Sequence, residues 1–193
     1  SVPIEKLVEE AQRLAHKGVK ELILIAQDTT YYGLDLYRRR ALAELLEKLS
    51  LVEGIEWIRI HYSYPAAFPE DVLEQMASNP KVCRYMDIPL QHIADKVLDN
   101  MHRNVTGAWT RELIGKMRSK VPGVVLRTTM IVGHPGEGKR DFKELLDFIS
   151  EARFERLGAF MYSEEEGTFG AENFKDSISA RVKQERLDEL MTL

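Results

Sequence analysis

The sequence predicts an α/β fold of parallel strands, arranged as an incomplete barrel. Three observations predict it. Five apolar runs each break into polar residues and a turn, a helical pattern follows each run, and a helix opens the chain with no strand before it. Repeated strand-then-helix units give parallel strands, and ligands in such folds sit at the carboxyl ends of the strands. The polar ends of the five runs are therefore expected to gather on one rim.

The opening helix is set by Ile4, Leu7, Val8, Ala11, Leu14 and Ala15 at i, i+3, i+4 spacing, with Ser1 as its expected cap and Gly18 as its stop. The first run is Leu22 to Ala26, ending in Gln27-Asp28-Thr29-Thr30. The second is Trp57 to Ile60, ending in His61-Tyr62-Ser63-Tyr64-Pro65. The third is Tyr85 to Pro89, ending in Leu90-Gln91-His92. The fourth is Val124 to Val132, ending in Gly133-His134-Pro135-Gly136-Glu137, and the fifth is Leu157 to Met161, ending in Tyr162-Ser163 and three glutamates. Apolar periodicity places further helices over 40–49, 69–78, 94–102, 110–120, 139–152 and 179–192. Asn79-Pro80 and Val121-Pro122-Gly123 break the chain between units. Five strands do not close an eight-stranded barrel. With a helix standing first, a strand is expected upstream of Ser1 and the chain reads as a piece of a longer protein. Residues 163–178 read as an acidic loop, and the last helix is expected to pack outside the repeat.

The bulk numbers narrow the function. A chain of 193 residues makes one domain or most of one. A net charge of -4 argues against a nucleic-acid surface over the whole domain. Arg38-Arg39-Arg40 is the one three-residue basic run and reads as a solvated loop. No apolar stretch approaches the roughly 18 residues of a membrane helix. The single cysteine, Cys83, cannot form an internal disulfide, so a cytoplasmic setting and a structural thiol are expected.

Each rim group has a functional and a plain reading. Gln27 and Asp28 suit an amine or a ribose hydroxyl, or Asp28 makes an Asx turn. Gln91 suits a ligand hydrogen bond. His92 is an acid, base or ligand, or simply hydrogen-bonded structure. Arg127, inside an apolar strand, needs an anion, supplied by a ligand carboxylate or phosphate or by Asp87 or Asp28. The Gly133–Glu137 turn lets backbone approach a flat ligand, or is only a tight strand-to-helix turn. Glu164-Glu165-Glu166 is a solvated charge run or a surface for a basic partner. No Ser/His/Asp order, HExxH or Cys/His metal cluster is present.

Together, Ile25 to Gly33, Asp87 to His92, Leu126 to Glu137 and Phe154 to Thr168 resemble the radical S-adenosylmethionine (SAM) methylthiotransferases. The Gln27-Asp28-Thr29-Thr30 form resembles the ribosomal branch, whose members methylthiolate an aspartate of a small-subunit ribosomal protein (protein twelve). The resemblance implies a partial (β/α)6 TIM-like barrel of the radical SAM type, here lacking its first strand and cluster loop. It implies residues 1–178 as that core, with helix 179–193 leading to an absent TRAM domain, the one route to nucleic acid. It implies SAM and two 4Fe–4S clusters in the full-length protein. Cys83 does not fit the family's C-x3-C-x2-C loop, so this fragment is expected to bind no cluster and to be inactive alone.

For cofactor binding the resemblance implies Gln27 and Asp28 at the methionine or ribose part of SAM. It places Arg127 at the SAM carboxylate, Gln91 and His92 near the ribose or reacting centre, and Ile131, Gly133 and Pro135 along the adenine. Tyr162, Ser163 and Glu165 fall on the substrate side. No catalytic residue or metal ligand is assigned in this chain. His134 and Gly138 depart from the family's usual residues, which bears on the adenine contacts. The competing expectations are a tRNA methylthiotransferase core and a non-catalytic SAM-binding module.

Overall fold

A computed structural model describes residues 1–65 and 68–193. In chain order the elements are α1 (Ile4–His16), β1 (Glu21–Leu24), a 3-10 turn (Thr29–Tyr31), α2 (Leu34–Tyr37), α3 (Leu42–Ser50), β2 (Trp57–Ile60), α4 (Glu70–Ser78) and β3 (Tyr85–Asp87). They continue with α5 (Asp95–Asn100), α6 (Gly107–Lys120), β4 (Val125–Val132), α7 (Lys139–Ala152), β5 (Arg156–Met161), α8 (Phe169–Asn173) and α9 (Ala180–Met191). Each strand and helix expected within residues 1–193 forms. Three short turns, Thr29–Tyr31, α2 and α8, lie beyond what apolar periodicity reports, because each is shorter than two helical turns; Asp28 and Thr168 cap the first and the last. Asp28 makes the first, its Oδ1 accepting from the Thr30 N–H at 2.9 Å and the Thr30 hydroxyl at 2.7 Å.

The chain divides into two compact units, Ser1–Ile88 with Lys116–Leu126, and Pro89–Gly115 with Arg127–Leu193. In the first, β1 and β2 pair in parallel, with Glu21 opposite Trp57 and Leu24 opposite Ile60. Ile58 and Ile60 of β2 are buried, as are Leu42, Leu45, Leu46 and Leu49 of α3 and Val72, Leu73 and Met76 of α4. Those helical positions recur at i, i+3, i+4, so one stripe of each helix faces the core. Full burial of each such side chain contributes about 1.5–3 kcal/mol. In β1 only Leu22 is buried, and Ile23 and Ile25 are 49% and 67% exposed. Cys83 is half-buried and its thiol is pushed up by burial, which keeps it protonated and unreactive.

The cap of α1 differs from expectation. Pro3 takes the N-cap position without a side-chain bond, and the Ile4 N–H donates to the Tyr37 hydroxyl at 2.9 Å. Ser1 lies too far upstream to cap, and its Oγ accepts from the Gly33 N–H at 3.3 Å. Gly18 ends the helix as expected, at φ +88°, a conformation that glycine adopts without steric cost.

In the second unit β4 and β5 pair in parallel, from Arg127 opposite Arg156 to Val132 opposite Met161. Burial along β4 alternates, with Leu126, Thr128, Met130 and Val132 inside. This corrects the expectation for Arg127, which is exposed. Successive strand side chains point to opposite faces, so Arg127 shares the open face with Thr129 and Ile131. Gly138 is the N-cap of helix α7, and its N–H donates to Asp141 Oδ2 at 2.8 Å. Helix α9, capped by Ser179 Oγ at 3.4 Å from the Val182 N–H, packs on β5.

Candidate functional site

The site is built where β4 and β5 end. Gln91 extends the parallel pairing beside β4: its N–H donates to the Thr129 carbonyl at 2.9 Å, and its carbonyl accepts from the Ile131 N–H at 2.8 Å. Its backbone is left-handed, φ +71°, an uncommon state for a residue with a Cβ. Two ladder bonds hold it there. Strained backbone fixed by surrounding structure is a recurrent feature of ligand sites.

A cavity of about 520 Å³ opens over this point, within the second unit. Five of the expected residues line it: Gln91, Ile131, Tyr162, Ser163 and Glu165. Thr129, His134 and Arg103 line it as well. Gln91 Oε1 and the Tyr162 hydroxyl are buried with no hydrogen-bond partner. A buried polar atom without a partner costs roughly 1–3 kcal/mol, so both atoms suit a polar ligand. Burial, reinforced by Glu164, Asp176 and Glu165, pushes the Tyr162 phenol up and keeps its proton in place to donate. Ile131 supplies an apolar face on the open side of β4. The volume lies in the range of small-molecule pockets, and the mix of apolar wall and few polar atoms is the usual one.

Three expected contacts sit behind the wall. His92 is 0% exposed, its Nδ1 accepts from the Ala94 N–H at 3.0 Å, and its Nε2 lies 3.7 Å from Glu137 Oε2. Burial pulls its pKa down to about 4, leaving a neutral ring. His92 is thus a core residue and does not line this cavity. Gly133 and Pro135 are buried in the turn and do not line the cavity. Gly133 is held at φ +76°, and a Cβ there would lie 2.4 Å from Lys183 Cγ. That close packing, as much as ligand approach, demands glycine.

In the first unit, Gln27 is exposed at the end of β1. Asp28 lines a separate cavity of about 740 Å³ and spends Oδ1 on the Thr30 bonds and on the Tyr64 N–H at 3.4 Å, so the Asx-turn reading describes it. The acidic run Glu164-Glu165-Glu166 is exposed throughout. Arg103 escaped sequence reasoning. It follows α5 directly, its Nη2 donates to the Pro89 carbonyl at 2.6 Å, and nothing in its local pattern marks it.

Parallel strand–helix units with a ligand-sized cavity at the strand ends place the chain among parallel α/β proteins, and the comparisons name the family. The profile of the Radical SAM superfamily matches residues 1–149, and the chain belongs to that superfamily. SAM and a 4Fe–4S cluster are the groups that this membership implies. Over all 193 residues the chain is 55% identical to a Phocaeicola vulgatus protein named ribosomal protein uS12 methylthiotransferase RimO, covering 45% of it. A Flavobacterium johnsoniae protein of the same name is 58% identical, with 44% of its length covered. The chain therefore spans under half the length of these relatives.

Among solved structures, the Kitasatospora setae radical SAM methyltransferase TsrM matches with TM-score 0.68 at 16% identity, over 88% of this chain and 33% of that one. The Escherichia coli coproporphyrinogen III oxidase HemN, a radical SAM enzyme, matches with TM-score 0.68 at 19% identity, over 98% and 45%. The expected TIM-like α/β class is thus the fold of this chain.

The two implied groups fare differently here. The orphaned polar atoms over Ile131 fit a nucleoside such as that of SAM. The iron–sulfur cluster does not fit: Cys83 is the one cysteine, and among the described residues no three His, Cys, Asp or Glu side chains gather as metal ligands.

Proposed function

We propose that this chain is the SAM-binding core of a methylthiotransferase that adds a methylthio group to an aspartate of ribosomal protein uS12. Identity of 55% across every residue of the chain to proteins of that name carries the reading. The proposed organisation is a core over 1–178 and a helix over 179–193 that leads to a TRAM domain. The proposed setting is the cytoplasm, and no described helix is long and apolar enough to cross a membrane. Two 4Fe–4S clusters belong to the longer protein in this reading, and none is held by this fragment.

Within the second unit, Gln91 Oε1 accepts an N–H from the ligand and the Tyr162 hydroxyl donates to it. Ile131 packs on the adenine face, where an apolar side chain excludes water. His92, Gly133 and Pro135 shape the turn from behind rather than touching the ligand. Ser163 and Glu165 stand at the cavity on the substrate side. From the resemblance, Gln27 and Asp28 are proposed for the methionine or ribose part and Arg127 for the SAM carboxylate, an anion that a guanidinium binds well. Bound SAM supplies a sulfonium that one-electron reduction can cleave.

The test uses the full-length protein, reconstituted without oxygen with iron and sulfide, and incubated with SAM, a reductant and uS12. The expected result is 5′-deoxyadenosine together with a methylthio mass gain on uS12. SAM cleavage without modification of uS12, but with modification of tRNA, would move the substrate to tRNA. A folded protein that neither binds iron nor cleaves SAM would be a binding module.

A further inference from the structure

We infer that α9 is a strap that positions the SAM-side wall of the cavity, with Arg186 and Lys183 as its two positioning residues. The inference rests on the reading that this cavity takes SAM. Residues three apart on a helix share a face, and these two cations meet the two loops that end β4 and β5.

Arg186 holds the first loop. Its Nη1 donates to Glu137 Oε1 at 2.7 Å and to the Glu137 carbonyl at 3.2 Å. Glu137 Oε2 in turn accepts from the Gly133 N–H at 2.7 Å. One guanidinium therefore fixes both ends of the 133–137 turn through a carboxylate with no exposed side-chain surface. Ile131, the adenine-side contact in that reading, lies near the end of β4, two residues before Gly133.

Lys183 holds the second loop. Its methylenes fill the space that a side chain at Gly133 would need. Its ammonium donates to the Tyr162 carbonyl at 2.9 Å and pairs with Asp176. Tyr162 carries the orphaned hydroxyl at the cavity. Without the strap, each loop end would lose a charge-assisted bond, and the Ile131 and Tyr162 surfaces would lose their common register.

The experiment compares full-length wild type with Arg186→Met and Arg186→Lys. It reads SAM affinity by equilibrium dialysis and amide exchange over 131–137 by mass spectrometry. Loss of one charged hydrogen bond predicts about tenfold or greater weakening of SAM binding in Arg186→Met, with faster exchange in that segment. Arg186→Lys keeps the charge and should recover most of both. Wild-type affinity and exchange in folded Arg186→Met would overturn the inference, as would faster exchange with unchanged affinity. If Arg186→Met does not fold, Glu137→Gln takes its place: it keeps the shape and loses the charge, and SAM binding as tight as wild type would overturn the strap. Absence of SAM binding by wild type would overturn the functional reading and the proposed role with it, whereas unchanged exchange in the variants overturns the strap alone.

Discussion

Nη1 of Arg186 lies 2.7 Å from Oε1 of Glu137, and the Glu137 side chain has no exposed surface. An ion pair so placed is costly to half-remove, because the survivor is left charged in a dry interior. Burial pushes the Glu137 carboxyl up, and Arg186 opposes that shift. Glu137→Ala is expected to destabilise the protein by about 3–5 kcal/mol, measured from urea midpoints. Glu137→Gln should cost less. A loss within about 0.5 kcal/mol for Glu137→Ala, the size typical of surface substitutions, would show that the pair does not hold the turn.

His92 gives a pH dependence. Its native pKa is pulled from 6.5 to about 4 by burial, with His134 and Arg186 opposing protonation and Asp141 favouring it. The Glu137 carboxylate at 3.7 Å is already engaged by Arg186 and does not offset the burial. Between these two pKa values the unfolded chain binds a proton that the native ring refuses. The stabilising contribution is therefore whole above pH 6.5 and declines as pH falls towards 4, by about 3 kcal/mol in all. Glu137, raised by burial, titrates in the opposite sense, because the native carboxyl binds its proton first as pH falls. His92→Asn, whose Oδ1 can still accept from the Ala94 N–H, isolates the histidine. Its urea midpoint should fall less between pH 6.5 and 4.5 than that of wild type, and equal slopes would refute the assignment.

The orphaned atoms at the cavity predict ligand effects without large losses of stability. Gln91→Ala and Tyr162→Phe each remove one bond of the proposed SAM site, so each should weaken SAM binding about five- to tenfold. Thermal melting of Tyr162→Phe should match or exceed that of wild type, because an unsatisfied buried hydroxyl is removed. Unchanged SAM affinity in both variants would place the nucleoside elsewhere.

Gly133→Ala tests the packing behind the wall. The added methyl meets Lys183 Cγ at 2.4 Å, on a backbone at φ +76°. Left-handed backbone alone costs a non-glycine residue about 1–2 kcal/mol, and displacement of Lys183 adds to it. Gly18→Ala, at φ +88° but with open space around it, carries only the conformational part. Chemical denaturation of the two should rank Gly133→Ala as the more destabilised, and the reverse order would remove Lys183 from the account.

Much of the fold was legible in the residues. The Leu42, Leu45, Leu46, Leu49 stripe marks α3, and Gly18 marks the end of α1, because periodicity and caps are local properties of the chain. The alternation along β4 is equally local, and its period of two sends Arg127 to the exposed face although its neighbours are apolar. Gln91 and Tyr162 were legible as polar residues closing apolar strands. Their roles as unpartnered atoms at one cavity were not, since an absent partner is a property of everything around them.

Local chemistry in the sequence by itself determined the strand–helix order and the approximate helix positions, because apolar period and turn residues act over a few neighbours. Only the tertiary structure decided which polar groups stand at the cavity. It sealed His92 in the core, left the Gln91 and Tyr162 polar atoms unpartnered at one cavity and brought Arg186 to Glu137 across 49 residues of chain. Burial and pairing depend on what folds against each group, and that information is distributed over distant segments.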